Sequence, residues 1–145
     1  MNNANQHRAG GTRGGGQPRF AVGVDLVAVE EVRSATEHFG DRYLTRVFTD
    51  HEVACATGEG DVRARQLAAR LAAKEATMKA LGPSDRLPAW RSIEVRQDER
   101  GLCTLRLSGY AAELAKRACL SDFAVSLSHE GSLVTAVVFA LGDEQ

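Results

Sequence analysis

The chain has 145 residues, with 18 Lys and Arg against 19 Asp and Glu, and a formal net charge of −1. That length falls within the common size of single domains, about 100–150 residues, so we expect one hydrophobic core and no second domain. Only 6% of the residues are aromatic. Without a basic surface or stacking side chains, nucleic-acid binding is excluded from the expected functions.

The first 19 residues are rich in Gly and Arg and contain neither an acidic residue nor an apolar run. This composition predicts a disordered tail over 1–19, neither a signal peptide nor a membrane anchor, and a single domain over 20–145. No stretch approaches the ~18 apolar residues that span a bilayer. The cysteines are odd in number and widely spaced, which is typical of reduced thiols. We therefore expect a cytoplasmic protein without membrane association.

The folded region begins with a β-branched run over 20–27, which predicts a buried strand whose only charge is Asp25. A helix that ends at Gly40 follows, and Thr49 with Glu52 matches a capping box. The other expected elements are a helix over 41–47, a long helix over 62–81 capped by Asp61 and closed by Gly82-Pro83, strands near 91–96 and 102–107, a helix from Ser108 to Cys119, and strands over 123–128 and 133–141. This order predicts an α+β fold with a mostly antiparallel sheet packed on one long helix.

Three polar features lie on these elements: Asp25 at the end of the first strand, Glu75 with Lys79 one turn later on the long helix, and His129 at a strand end. Each has a purely structural interpretation when it is taken alone. Glu75 and Lys79 suit a surface ion pair. Asp25 suits a helix cap, and His129 suits an exposed turn.

Taken together, the same residues indicate a site for phosphate chemistry. Two carboxylates, Asp25 and Glu75, supply the oxygen donors that Mg²⁺ prefers, with places left for water and phosphate. Lys79 would add a positive charge for the same phosphates, and His129 is able to move a proton near neutral pH. The combination predicts phosphoryl or nucleotidyl transfer.

Four sequence blocks then resemble a known family. They are Gly-Val-Asp-Leu-Val at 23–27, Phe-Thr-Asp-His-Glu at 48–52, Arg-Leu-Ala-Ala-Lys-Glu-Ala-Thr-Met-Lys-Ala-Leu-Gly at 70–82, and Val-Ser-Leu-Ser-His at 125–129. In this order they resemble the holo-acyl-carrier-protein synthases, the short branch of the 4′-phosphopantetheinyl transferases, over about 20–140. Val27 supports the short branch, because the longer branch carries a second acidic residue there.

The resemblance implies a Mg²⁺-dependent enzyme that transfers phosphopantetheine from coenzyme A to a serine of an apo acyl carrier protein and releases 3′,5′-ADP. It also implies a homotrimer with sites between subunits. Asp25 and Glu75 are the implied metal ligands, and Glu75 and His129 the implied catalytic residues. The implied coenzyme-binding residues are Arg70, Lys79, Gly82, Ser128 and His129.

Two questions stay open at this point. The base that accepts the serine proton is Glu75, directly or through a water, or a metal-bound water, or His129. In addition, Glu31 stands where the family usually has an arginine that meets the carrier, and Pro83 stiffens the turn after the long helix. These departures leave a second interpretation, a coenzyme A-binding regulatory relative with weak or no transferase activity.

Overall fold

The computed structural model describes residues 19–142 of the chain. Its elements in order are β1 (Arg19–Ala28), α1 (Val29–Phe39), α2 (Asp41–Val47), α3 (Asp50–Cys55), α4 (Gly60–Leu81), a 3₁₀ turn (Trp90–Ser92), β2 (Ile93–Gln97), β3 (Cys103–Leu107), α5 (Gly109–Arg117), β4 (Asp122–Glu130) and β5 (Leu133–Gly142). The predicted α+β class is confirmed. The predicted tail lies outside the described residues except for Arg19, which begins β1 and pairs with Gly142. Among residues 19–142, no helix has the length and apolarity needed to cross a membrane.

Three strands form an antiparallel sheet in the order β1-β5-β4. Asp25 on β1 lies opposite Ala136 on β5, and Leu127 on β4 lies opposite Ala136 from the other side. Because side chains alternate along a strand, Asp25, Leu127 and His129 share the sheet face that packs on α4. The other face of the sheet points away from the helix and carries exposed apolar side chains.

The close packing of α4 on this sheet depends on small residues. Ala72, Ala76 and Ala80 are buried in the helix, and Gly23 is buried in β1 opposite them. A Cβ atom added to Gly23 would lie 1.9 Å from the carbonyl oxygen of Ala76. Glycine at this position therefore allows the contact that brings Asp25, two residues later, up to α4.

We expect Gly23→Ala to destabilise the protein by about 2–3 kcal/mol, because overpacking a tight contact forces the backbone to shift. The same shift would move Asp25 away from the helix, so transfer activity would fall as well. Thermal unfolding followed by circular dichroism measures the first effect. An unchanged melting temperature would show that strand and helix separate at little cost.

The remaining two strands, β2 and β3, form a separate antiparallel hairpin. The sequence predicted mostly antiparallel strands, and the structure divides them between this hairpin and the three-stranded sheet. Buried side chains attach β2 to α4 and α3. Lys74 on α4 donates to the carbonyl oxygen of Ile93, and the backbone N–H of Val95 donates to Glu52 Oε2 at 3.0 Å. The hairpin is thus held beside the three-stranded sheet without joining its hydrogen-bond ladder.

Lys74 and Glu52 also form an ion pair in the core. Lys74 Nζ lies 2.6 Å from Glu52 Oε1, and both side chains are 0% exposed. The backbone N–H of Thr49 donates to the same carboxylate at 2.9 Å, which completes the predicted capping box of α3. Burial lowers the pKa of Lys74, and the neighbouring Glu52 partly offsets this effect. The two residues of the Lys-Glu dipeptide at 74–75 therefore have different roles. Lys74 stabilises the core, whereas Glu75 is the residue predicted for the site.

The ends of two helices differ from the sequence predictions. Helix α4 begins at Gly60 with Glu59 at the N-cap, so Asp61 lies in the first turn and does not cap the helix. Helix α5 ends at Arg117, because Cys119 adopts a left-handed backbone (φ 55°) that turns the chain toward β4. Ser108 occupies the N-cap position of α5, but its hydroxyl lies 3.5 Å from the carbonyl oxygen of Ser92 instead of capping the helix.

Candidate active site

The structure brings three of the predicted residues together between β1 and α4. Lys79 Nζ donates to Asp25 Oδ1 at 2.9 Å and to the carbonyl oxygen of Val24 at 3.0 Å. Glu75, one turn earlier on α4, lies within hydrogen-bonding reach of Asp25. Lys79 therefore reaches across to the strand, and two carboxylates and an ammonium group form one cluster.

The two carboxylates of this cluster are incompletely satisfied by protein groups. Asp25 Oδ2 is buried and has no hydrogen-bond donor among the described residues when Glu75 is ionised. Burial, followed by the hydrogen bond and the negative charge of Asp25, raises the pKa of Glu75 to about 8, while Lys79 acts in the opposite direction. Either a shared proton or a bound cation would relieve this repulsion.

We expect the protein without divalent cations to lose stability as the pH rises through about 8. A carboxyl group whose pKa is higher in the folded than in the unfolded state stabilises the fold fully at low pH, and this contribution is lost as the native group ionises. Because Glu75 is only half-buried, solvent screening reduces the loss to about 1 kcal/mol. Urea unfolding in chelator from pH 6 to pH 9 measures the slope, and Glu75→Gln should remove it. A parallel slope in that variant would contradict the assignment.

Two further side chains border this cluster. The charge of Glu31 on α1 adds to the rise in the Glu75 pKa. Tyr43 on α2 is half-buried, and burial together with Glu31 and Glu75 raises its pKa to about 12. Tyr43 is therefore a protonated hydroxyl beside the carboxylates. Nothing in the sequence singled it out, because a tyrosine on a short helix has no local signal for such a role.

A second group of predicted residues lines a cavity of about 280 Å³ between α4, the β2–β3 hairpin and β4. Arg70 and His129 lie in its wall together with Arg65. Arg70 is 8% exposed, and its Nε has no acceptor among the described residues, although its Nη1 donates to the carbonyl oxygen of Gln66 at 2.9 Å. The cavity thus offers two guanidinium groups and an imidazole to an anion. Arg65 was missed by the sequence analysis, since only the folded hairpin shows which helix face borders a cavity.

Within one chain the two groups remain apart. Asp25 and His129 lie on strands separated by β5, which places them roughly 10 Å from each other across two strand spacings. Ser128 alternates with His129 and so points to the opposite, apolar face of the sheet, which means that the predicted Ser-His pair is split. Gly82 ends α4 in a left-handed conformation and is exposed just beyond Lys79.

In the cluster between β1 and α4, the protein groups suited to bind a metal ion are the carboxylates of Asp25 and Glu75. Among residues 19–142, no group of three or more His, Cys, Asp or Glu side chains is arranged to hold a metal ion. The orphaned Asp25 Oδ2 and the raised pKa of Glu75 are nevertheless what a pair of carboxylates shows when a divalent cation would complete their surroundings. The donor set therefore fits a hard cation whose remaining ligands come from water or substrate.

Known proteins share both this sequence and this fold. A family model described as the 4′-phosphopantetheinyl transferase superfamily matches residues 21–138. The holo-acyl-carrier-protein synthase of Chloroflexus aurantiacus is 47% identical over 130 residues, which cover 81% of this chain and 95% of the relative. That of Desulforudis audaxviator is 40% identical over 131 residues, covering 87% and 95%.

Solved structures agree with these relatives. The Chronobacterium ammoniagenes ACPS–CoA complex is 31% identical, with a TM-score of 0.72 over 87% of this chain and 99% of that one. The apo structure of the same enzyme gives a TM-score of 0.77 over 88% and 100%. The chain therefore belongs to the 4′-phosphopantetheinyl transferase superfamily, and within it to the holo-acyl-carrier-protein synthase type of enzyme that its motifs predicted.

Proposed function

We propose that this enzyme transfers the 4′-phosphopantetheine group of coenzyme A to a serine of an apo acyl carrier protein, with Mg²⁺, and releases 3′,5′-ADP. The observation that carries the proposal is the cluster of Asp25, Glu75 and Lys79, where two carboxylates meet one ammonium group between β1 and α4. The relatives named above are synthases of holo acyl carrier protein, and one solved relative is a complex with coenzyme A. These names agree with the chemistry of the cluster.

Asp25 and Glu75 would hold the magnesium ion. When bound, Mg²⁺ neutralises negative charge on the diphosphate of coenzyme A and so makes the phosphorus more open to attack. Its binding would also satisfy the orphaned Asp25 Oδ2 and remove the repulsion that raises the pKa of Glu75. Few ligands come from the protein, which is usual for magnesium sites completed by substrate phosphates.

The chain's own residues would orient the coenzyme and accept the proton of the serine hydroxyl. Lys79 is half-exposed and anchored by Asp25, so its ammonium group faces the solvent side of the cluster, where it would contact a coenzyme phosphate. Glu75 would accept the proton of the incoming serine hydroxyl, directly or through a water. His129 is the alternative base. It lies in the cavity lined by Arg65 and Arg70, apart from the cluster that contains Glu75 in the same chain, and this separation favours Glu75 for the step.

The cavity of Arg65, Arg70 and His129 would hold another phosphate of coenzyme A. Two guanidinium groups suit a phosphate because they present paired N–H donors to its oxygens. Gly82, which is exposed beyond Lys79, would let the coenzyme approach the backbone closely. Ser128 would reach a coenzyme only from the outer sheet face, so its role requires a site shared between subunits.

We also propose a homotrimer with sites between subunits. The outer face of the sheet carries eight exposed apolar side chains, namely Phe20, Val22, Val24, Leu26, Leu133, Val137, Phe139 and Leu141. A continuous apolar surface of this kind is unusual for a monomer and indicates an interface. Sedimentation equilibrium gives the subunit number directly, and a monomer at micromolar concentration would overturn this part of the proposal.

The decisive experiment is intact-mass spectrometry of an acidic apo carrier protein after incubation with the enzyme, coenzyme A and Mg²⁺. A gain of one phosphopantetheine group that chelator abolishes would establish the transfer. Coenzyme A binding without any gain on carriers from fatty-acid, polyketide and peptide pathways would favour the regulatory relative instead. The absence of coenzyme binding, measured by titration calorimetry, would reject both functions. We expect the enzyme to act in the cytoplasm, where such carriers and reduced thiols coexist.

A further inference from the structure

The cavity between α4, the β2–β3 hairpin and β4 contains a thiol that the transfer reaction does not use. Cys103, the first residue of β3, lies in the wall of this cavity with Arg65, Arg70 and His129. The Cys103 side chain is partly exposed, and it is a free thiol. A nucleophilic sulfur therefore borders a space of about 280 Å³ that is open to a small molecule.

The charge of this cavity selects the kind of molecule that would meet the thiol. Arg70 is more than nine-tenths buried, and its Nε has no acceptor among the described residues. A buried guanidinium group with an unsatisfied donor calls for an anionic ligand, because an unpaired polar donor is costly away from water. Arg65 adds a second positive charge to the same wall.

The other two cysteines of the chain lack this setting. Cys55 lies on α3 with its Sγ 3.6 Å from His51 Nε2, and Cys119 lies in the turn after α5. Neither lines the cavity. Burial raises the pKa of the Cys103 thiol, and the nearby Arg70 partly offsets this rise. Cys103 is thus a slow nucleophile toward neutral reagents, and an anion held by the arginines would gain the advantage of proximity.

We propose that Cys103 is a modification site that captures one half of a small anionic disulfide by thiol–disulfide exchange inside the arginine-lined cavity. The Cys103 thiolate attacks one sulfur of the disulfide, a new S–S bond forms to that half, and the other half leaves as a thiolate that takes up the proton lost by Cys103. The small disulfide is itself the oxidant, because one of its sulfurs is reduced to a thiol while Cys103 is oxidised to the mixed disulfide. The modified cavity is filled, so coenzyme binding is blocked; this consequence rests on the proposed function.

The first test uses the full-length Cys55→Ser/Cys119→Ser protein, in which Cys103 is the remaining thiol. Its rate of reaction is compared for the dianionic disulfide 5,5′-dithiobis(2-nitrobenzoate) and the neutral disulfide 2,2′-dithiodipyridine, each followed by absorbance of the released thiol. We expect Arg65→Gln to lower the anionic rate at least about fivefold, as for other electrostatically guided reactions, while the neutral rate stays within about twofold. Arg63→Gln, on the same helix but outside the cavity wall, is the matched control and should change neither rate.

Equal effects of Arg65→Gln and Arg63→Gln on the anionic rate would overturn the proposal. Thermal unfolding of each variant checks that these rates refer to folded protein.

The second test identifies the source of the anionic disulfide and separates this proposal from the proposed function. The wild-type protein is incubated with the disulfide of coenzyme A or with glutathione disulfide, and the mass added at Cys103 is read by peptide mass spectrometry. Faster addition of a coenzyme A group would identify that disulfide as the source, and faster addition of glutathione would identify the other. Addition of neither would reject the modification site.

Protection is measured in the same experiment. We expect 3′,5′-ADP, which carries no thiol and so cannot consume the disulfide, to slow the labelling of Cys103, and the labelled protein to lose transfer activity until dithiothreitol restores it. Arginine-dependent labelling without protection and without loss of activity would support the thiol site while rejecting the cavity as part of the coenzyme site.

Discussion

Replacing Glu75 with glutamine is expected to reduce phosphopantetheine transfer at least about a hundredfold while leaving the protein folded. The amide keeps the shape of the side chain but removes the charge that would bind the metal and accept the serine proton. Loss of several kcal/mol of transition-state stabilisation corresponds to a rate change of this size or larger. Transfer is measured as carrier mass gained per unit time at saturating coenzyme A.

The same substitution is expected to maintain or raise stability above pH 8 in chelator, because it removes the repulsion between Glu75 and Asp25. Glu113→Gln on α5 is a suitable control, since Glu113 is exposed and forms a surface ion pair with Arg117 at 3.9 Å. Near wild-type turnover in Glu75→Gln would reject both the metal and the base assignments. An unfolded variant would contradict the separation of function from stability at this position.

The largest effect on stability is expected from Lys74→Met. This change leaves the carboxylate of Glu52 fully buried without its cation, and breaking a buried pair in this way costs about 3–5 kcal/mol. Because a domain of this size is stable by only about 5–15 kcal/mol, the variant would unfold far more easily than the wild type. Urea unfolding followed by circular dichroism measures the change, and Lys116→Met on the exposed face of α5 is the control.

The double variant Lys74→Met/Glu52→Gln keeps this prediction testable even if the single variant does not fold. A neutral amide at position 52 keeps one acceptor oxygen for the two backbone N–H groups, of Val95 and Thr49, that the carboxylate accepts, so it should recover part of the lost stability. Losses that simply add in the double variant would show that the two residues act independently. That result would contradict a coupled ion pair.

Local sequence signals predicted most elements of this fold because they act over only a few residues. The capping box of Thr49 and Glu52 and the glycine at the end of α4 are satisfied within one helical turn, and both are present as predicted. The arrangement of the strands into two sheets depends on contacts between residues that lie far apart in the sequence. Lys74 and Glu52 hold β2 beside the main sheet through partners that lie 16 to 43 positions away in sequence.

In the candidate site, too, the sequence determines the residue types, and tertiary contacts determine which residues meet. The sequence by itself determined the family, the α+β class and the residue types of the site, because a strand aspartate and the Lys-Glu-Ala block are recognisable without a structure. Only the tertiary structure decided which lysine is structural, since Lys74 is buried against Glu52 while Lys79 reaches Asp25. Tertiary contacts also placed Arg65 and Cys103 in one cavity. Ionisable groups far apart in the chain gain or lose partners only when packing fixes their distances, and no local pattern encodes those distances.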